Sequence, residues 1–442
     1  MIKKNFGLVG NAKEQLVKRF LARRDAQTES GAGMLRSAQN FAQIPEKFCR
    51  FDSFPGYEKI VIPQAAARKL GIENPFFKIH DGVADATTII GGRPYINFSS
   101  YNYLGLAGDA RVNQAAKEAI DRYGTSASAS RLVAGERPIQ RELEETIADL
   151  YKVEGCVVFV SGHATNVTTI ATLFGPKDLI VHDSLIHNSV FEGIKLSGAT
   201  RRAFNHNDPD SLESILSEIR GNFERTLIVI EGLYSMDGDI PDLPRFIDIK
   251  QRYKAFLMVD EAHSLGVLGG TGRGIREHFG LPGSAVDIWM GTLSKAFAGC
   301  GGYIAGEKAL VEHLKYAAPG FVYSVGIAPA MAAASLAAIR IMLEEPARIT
   351  GLRERGAYFL DQAARSGIDT GLSQGYAVIP AIVGSSLKAT KLSQYLFEHG
   401  INVQPIIHPA VEERAARLRF FISHTHSEAQ IETTLSVLRN KL

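Results

Sequence analysis

Two features of the chain predict an α/β fold, with a mostly parallel sheet in a large domain and a smaller α+β domain towards the C-terminal end. Between Cys156 and about residue 306, short and continuously apolar runs alternate with helical stretches: Cys156–Val160, Leu179–Val181, Thr226–Ile230, Phe256–Val259 and Ile288–Met290. Runs that are apolar at every position fit strands covered on both faces, which is the habit of parallel sheets. Beyond a long alanine-rich helix predicted at about 327–345, the pattern changes to helix, strand, helix, with strands expected at Ala377–Ile382, Val403–Ile407 and Leu418–Ile422. A length of 442 residues allows a large core and more than one domain.

In chain order, residues 1–30 read as a basic arm, because Lys3, Lys4, Lys13, Lys18, Arg19, Arg23 and Arg24 face only Glu14 before Asp25. Leu16, Val17, Phe20 and Leu21 lie at helical spacing among those charges, so the arm is either a short amphipathic helix or a segment packed on a partner subunit. Thr28–Met34 reads as a flexible linker that joins the arm to a lead-in segment over 31–100, where Pro-Gly turns and short apolar runs beyond the linker suggest order. The large domain is expected over 101–330 and the small one over 331–442.

Composition narrows the function. With 49 basic and 47 acidic residues the formal charge is only +2, which argues against general affinity for nucleic acid. Cys49, Cys156 and Cys300 are far apart and lack CxxC spacing, so neither a disulfide framework nor a metal site is suggested. There is no apolar leader core and no run of about 18 apolar residues that could span a membrane. A cytoplasmic protein is the expectation.

Two strand tips carry the chemistry. In Asp287–Gly302 an apolar strand runs into Thr292, Ser294 and Lys295 and then into glycines, putting two hydroxyls and an amine at the end where open α/β sheets bind ligands. In Ala255–His263 an apolar run ends in Asp260, with His263 three residues on. A lysine that forms a Schiff base must be partly desolvated, so that it is neutral often enough to attack a carbonyl. In pyridoxal phosphate chemistry, an aspartate beside the pyridine nitrogen keeps it protonated while a lysine holds the aldehyde. Asp260 and Lys295 suit those two tasks.

The order acid, histidine, Ser-Lys, with about 35 residues from acid to lysine, resembles the fold-type I pyridoxal phosphate enzymes, and more narrowly the α-oxoamine synthases. Asn97–Leu106, with its Asn-Phe-Ser-Ser start and Tyr-Leu-Gly-Leu end, is similar to another segment of that family. The resemblance implies a sheet of the seven-stranded type and pyridoxal 5'-phosphate as cofactor, with Lys295, His187, Asp260 and His263 as catalytic residues. His187 would stack on the pyridine face, and His263 would bond the ring's 3-oxygen. Gly162, His163, Ser235, Thr292 and Ser294 would help hold the cofactor, and the phosphate suits the helix start predicted after Ser161. Glu231 is a weaker candidate near the ring. Ser324, in Phe321–Pro329, would reach the phosphate of a neighbouring subunit, which implies a homodimer. Asn102 would lie close to cofactor and substrate, and Arg419 would grip the amino acid's α-carboxylate. Its neighbour Arg417 is expected to be solvated on an edge strand.

The implied reaction is a decarboxylative Claisen-type condensation of an amino acid with an acyl thioester. An aminotransferase or amino-acid lyase of the same fold would share Asp260, His187 and Lys295. A non-catalytic partner subunit is a third reading, against which the presence of Lys295 and Asp260 counts. Gly124–Gly135 is poorer in glycine than in the primary-metabolic members, and with Phe76–Lys78 and Ala86–Ile90 it looks more like synthases of polyketide-type assembly lines. That resemblance, with the basic arm, suggests an acyl carrier protein as partner.

Overall fold

The structure is a computed structural model that describes residues 44–69 and 71–442. The basic arm over 1–30 lies outside them. The chain divides at Gly71–Ile72. On the N-terminal side two short 3-10 turns, Glu46–Cys49 and Phe51–Ser53, precede the helix Pro55–Lys69, and none of these elements buries a residue.

From Ile72 onwards the chain builds three sheets. The strands are β1 (His80–Asp81), β2 (Thr87–Ile90), β3 (Arg93–Asn97), β4 (Gly155–Phe159), β5 (Leu179–Asp183), β6 (Thr200–Phe204), β7 (Thr226–Glu231), β8 (Phe256–Asp260), β9 (Ile288–Thr292), β10 (Gly302–Gly306), β11 (Val378–Ile382), β12 (Ile401–Asn402), β13 (Gln404–Ile406) and β14 (Arg417–Phe421). The central sheet has seven strands in the order β4-β10-β9-β8-β7-β5-β6, parallel throughout except for β10, which runs against both its neighbours. Its alternate residues enter opposite cores: Leu227, Val229 and Met258 pack on one face, and Ile228, Ile230, Leu257 and Val259 on the other. Burial on both faces is why these strands are apolar without alternation, as the sequence predicts.

Two strands of this sheet give little signal in the sequence. β6 is an edge strand whose Arg201, Arg202 and Ala203 are exposed, and β10 is five residues long with glycine at both ends. β1, β2, β3 and β12 form a separate four-stranded sheet, and β11-β14-β13 an antiparallel one that carries both Arg417 and Arg419. The helix Pro329–Glu344 matches the predicted alanine-rich helix and is buried nearly all round.

Candidate active site

In the central sheet β4, β5, β7, β8 and β9 all point the same way, so Asp183, Glu231, Asp260 and Thr292 end at one edge. Lys295 follows in the turn that links β9 to β10. Thr292 pairs with Gly302 across this antiparallel step. Within the turn the Thr292 hydroxyl donates to Gly301 O at 2.9 Å and accepts Ser294 N–H at 3.2 Å. Lys295 is half-buried as a residue, but its amine is enclosed, 5.6 Å from the Tyr101 ring centre. Burial pushes its pKa down to about 8, against the upward pull of Asp260 and Glu231.

Asp260 is fixed from two sides. Its Oδ2 accepts from Asn166 Nδ2 at 2.9 Å, and its Oδ1 accepts the Ala262 N–H at 3.0 Å. His263 is buried, and its Nδ1 lies 2.8 Å from the Tyr103 hydroxyl. Burial, with Lys295 and Arg419 nearby, holds the imidazole well below its ordinary pKa and therefore neutral, while burial raises the Tyr103 phenol. Tyr103 therefore keeps its proton, and its hydroxyl can donate to Nδ1 of an imidazole that carries its own proton on Nε2. His187 caps the helix Asn188–Ser197. The residue is exposed overall, its Nδ1 lies 2.8 Å from Ser189 Oγ, and partial burial of the ring lowers its pKa. The His163 ring, at the start of the helix Gly162–Leu173, stands 6.5 Å from that of His187.

Gly162 lets that helix start approach β9, because a Cβ there would lie 2.9 Å from Thr292 Oγ1. First-turn N–H groups of a helix have no partner within it, so this end offers donors and a positive field beside Thr292 and Ser294. Arg419 is reached from β14. Its Nη1 donates to Ser235 O at 3.0 Å, its guanidinium lies 4.6 Å from the Phe421 ring centre, and its Nε is buried with no partner. No ion pair holds it among the described residues. Arg417 corrects an expectation: it is 5 % exposed rather than solvated, because residues two apart on a strand share a face. Its Nη1 donates to Asp237 Oδ1 at 2.6 Å and to Met236 O at 3.0 Å.

Lys295, Asn102, Tyr101 and Ser294 line one cavity of about 590 Å³. Asn102 Nδ2 is buried without a partner, although its Oδ1 accepts the Ala107 N–H at 3.1 Å. Ser235 joins the cluster through Arg419 and through its own N–H, which donates to Glu231 Oε2 at 3.1 Å. Ser324 stands apart: its hydroxyl donates to Val325 O at 3.3 Å, between exposed Tyr323 and Val325. A larger cavity of about 730 Å³ holds none of these residues and centres on Arg131, which is paired with Glu136 and Glu144. Asn166, Ser189 and Tyr103 escape sequence reasoning, because a buried polar side chain in a helix or loop leaves no periodic mark.

The residues present suit pyridoxal phosphate: an enclosed amine, a fixed carboxylate, a glycine-cleared helix start, and unpartnered buried donors on Arg419 and Asn102. Fold and site together define a fold-type I pyridoxal phosphate-dependent transferase. Residues 93–438 match the aminotransferase class I and II family. An 8-amino-7-oxononanoate synthase of Fervidobacterium nodosum is 41% identical over 353 residues, 79% of this chain and 89% of that protein. One from Symbiobacterium thermophilum is 42% identical over 349 residues, 79% of this chain and 88% of its own. Among solved structures, a serine palmitoyltransferase of S. paucimobilis with PLP and myriocin bound superposes with a TM-score of 0.84 at 26% identity, covering 89% of this chain and 98% of that one. The chain belongs to the aminotransferase class I and II family and, within it, to the α-oxoamine synthases, which are pyridoxal phosphate-dependent acyltransferases.

Proposed function

We propose that this enzyme condenses a small α-amino acid with an acyl thioester, releasing CO2 and the free thiol and leaving an α-amino ketone. The reading rests on Arg419, an enclosed guanidinium whose Nη1 meets the neutral Ser235 O and Met236 Sδ and whose Nε donor is vacant. An amino acid's α-carboxylate would satisfy it with paired, charge-assisted bonds. Asn102 Nδ2 is a second vacant donor, and it shares the Lys295 cavity.

Pyridoxal phosphate, when bound, supplies an electron-withdrawing ring that spreads negative charge from the substrate's α-carbon. The chain's own residues bind and orient. Lys295 would hold the cofactor's aldehyde carbon and, once displaced by the incoming amino group, take the α-proton. A lowered pKa makes it a competent base near neutrality. Asp260 would hold the ring nitrogen, with Asn166 and the Ala262 N–H keeping its carboxylate in place. His263 would offer Nε2–H to the ring's 3-oxygen, and His187 would cover the ring face. Gly162, His163, Thr292 and Ser294 would receive the phosphate, with Ser324 contributed across a homodimer. Residues 101–330 would thus serve mainly the cofactor, and 331–442 the substrate carboxylate.

For the acyl donor we propose a chain carried on the phosphopantetheine of an acyl carrier protein, within a cytoplasmic assembly line for natural products. The basic arm supports this, since carrier proteins are acidic and opposite charge raises encounter rates. No described helix is long and apolar enough to cross a membrane. The test is CO2 release from carboxyl-labelled amino acids with carrier-bound and coenzyme A thioesters compared. Release should require a thioester, and reversing the charges of Lys18, Arg19, Arg23 and Arg24 should raise KM more for the carrier-bound donor. Release without any thioester refutes the condensation, and equal effects on both donors refute the docking role.

A further inference from the structure

Three elements meet behind the site in a line of buried polar atoms. Asn166, in the second turn of the helix Gly162–Leu173, directs its amide nitrogen at two acceptors, Asp260 Oδ2 and Ser189 Oγ, each at 2.9 Å. Its neighbours fix which way the amide faces. A carboxylate only accepts, so the side facing Asp260 must be the NH2. Ser189 Oγ thereby accepts from Asn166, and its own proton is free for the next atom, His187 Nδ1, 2.8 Å away. The Ser189 backbone N–H meets the same nitrogen at 3.3 Å. A ring nitrogen approached by two donors cannot itself carry a proton. The neutral imidazole must then carry it on Nε2.

We propose that Asn166 and Ser189 are positioning residues in a hydrogen-bond chain linking Asp260 to His187, with donation running outward from the Asn166 amide to Asp260 on one side and through Ser189 to His187 on the other, and that this chain locks the His187 ring in its Nε2–H tautomer. The N–H so fixed lies on the side of the ring away from the chain. Without the chain, either ring nitrogen could carry the proton, and part of the population would present an acceptor in place of a donor. Partial burial, with Lys295, His163 and Arg419 nearby, keeps the imidazole neutral against the pull of Asp260. A lone His⁺ would need no such arrangement. The catalytic meaning rests on the placement of His187 over the cofactor proposed above, but the tautomer itself does not.

The test is ¹⁵N NMR of histidine-labelled full-length protein, with cofactor bound and with it removed, in wild type, Ser189→Ala and Asn166→Asp. Wild type should show a protonated Nε2 and a bare Nδ1 on His187 in both states. Ser189→Ala deletes one oxygen and no packing carbon, leaves only the longer backbone N–H contact of 3.3 Å on Nδ1, and should give mixed tautomers. It should also slow α-proton exchange of bound amino acid about tenfold, the scale of one lost hydrogen bond, with KM unchanged. Asn166→Asp sets a second carboxylate beside Asp260 and should move the His187 titration upward. A wild-type proton on Nδ1, or a Ser189→Ala spectrum matching wild type, overturns the proposal, as does an Asn166→Asp protein with an unmoved His187 titration. If the tautomer behaves as expected while no thioester supports CO2 release, the reading of the reaction fails and the chain stands.

Discussion

Glu231 and Asp260 stand in register at the ends of β7 and β8, yet the two acids are treated oppositely. Asp260 has a hydrogen-bond donor on each oxygen, whereas Glu231 has one on Oε2 and none on its buried Oε1. Burial, with Asp260 alongside, pushes the Glu231 carboxyl up to about 8, so it carries a proton at neutral pH.

That inequality has a pH signature. Because the folded pKa lies above the unfolded value of about 4.3, the native state binds the extra proton. The associated stability is complete below that value and is lost as pH rises to about 8. Glu231→Gln has no proton to lose, so it should be the more stable protein at pH 9 by at least about 1 kcal/mol. Thermal melts from pH 5 to 9 check this, and parallel wild-type and variant curves would count against a protonated Glu231.

Lys295→Ala should abolish the absorption band of lysine-bound cofactor and cut turnover at least about 10³-fold, with the fold intact. Visible spectra and circular dichroism read the two effects separately. Substantial residual turnover would remove Lys295 from the chemistry.

Arg419→Lys keeps the charge but loses the planar fork. KM for the amino acid should rise about 10- to 100-fold, the scale of a hydrogen bond to a charged group, with a smaller change in kcat. Steady-state kinetics at saturating thioester decide it, and an unchanged KM would place the α-carboxylate elsewhere.

Arg417→Ala leaves the Asp237 carboxylate enclosed without its partner, which should cost about 3 kcal/mol in urea unfolding. Restoring neutrality with Asp237→Asn in the same chain should recover part of the loss. If the single variant is as stable as wild type, the pair is not structural.

Ser324 is flanked by Tyr323, 87 % exposed, and the neighbouring turn Arg131–Gly135 exposes Leu132 and Val133. Ser130 Oγ donates to Val322 O at 2.6 Å and ties the two segments together. If this apolar surface is the dimer contact, Tyr323→Asp should yield monomers by light scattering and weaken cofactor retention. A dimeric variant with normal cofactor content would separate Ser324 from the interface.

How much of this was legible in the sequence depends on what each residue packs against. Asp260 and Lys295 stand out in the sequence because one ends and the other shortly follows a strand buried on both faces, and a continuous apolar run marks where such a strand stops. β6 and β10 do not: Arg201 and Arg202 face solvent on an edge, and Gly302–Gly306 resembles the glycine-rich turn before it. Arg417 was misjudged because its partner, Asp237, comes from a loop 180 residues away. Asn166 and Ser189 belong to the same class, since their importance lies in three-dimensional hydrogen bonding that no spacing encodes.

The antiparallel return of β10 beside β9 has a consequence for engineering. Thr292 and Gly302 are partners across the ladder, so the nine residues from Leu293 to Gly301 form an excursion with both ends anchored. Lengthening or shortening it by one residue would relocate the amine while leaving the register of the sheet untouched. The reach of the Lys295 amine is thus a modular dial, adjustable apart from the scaffold that supports it.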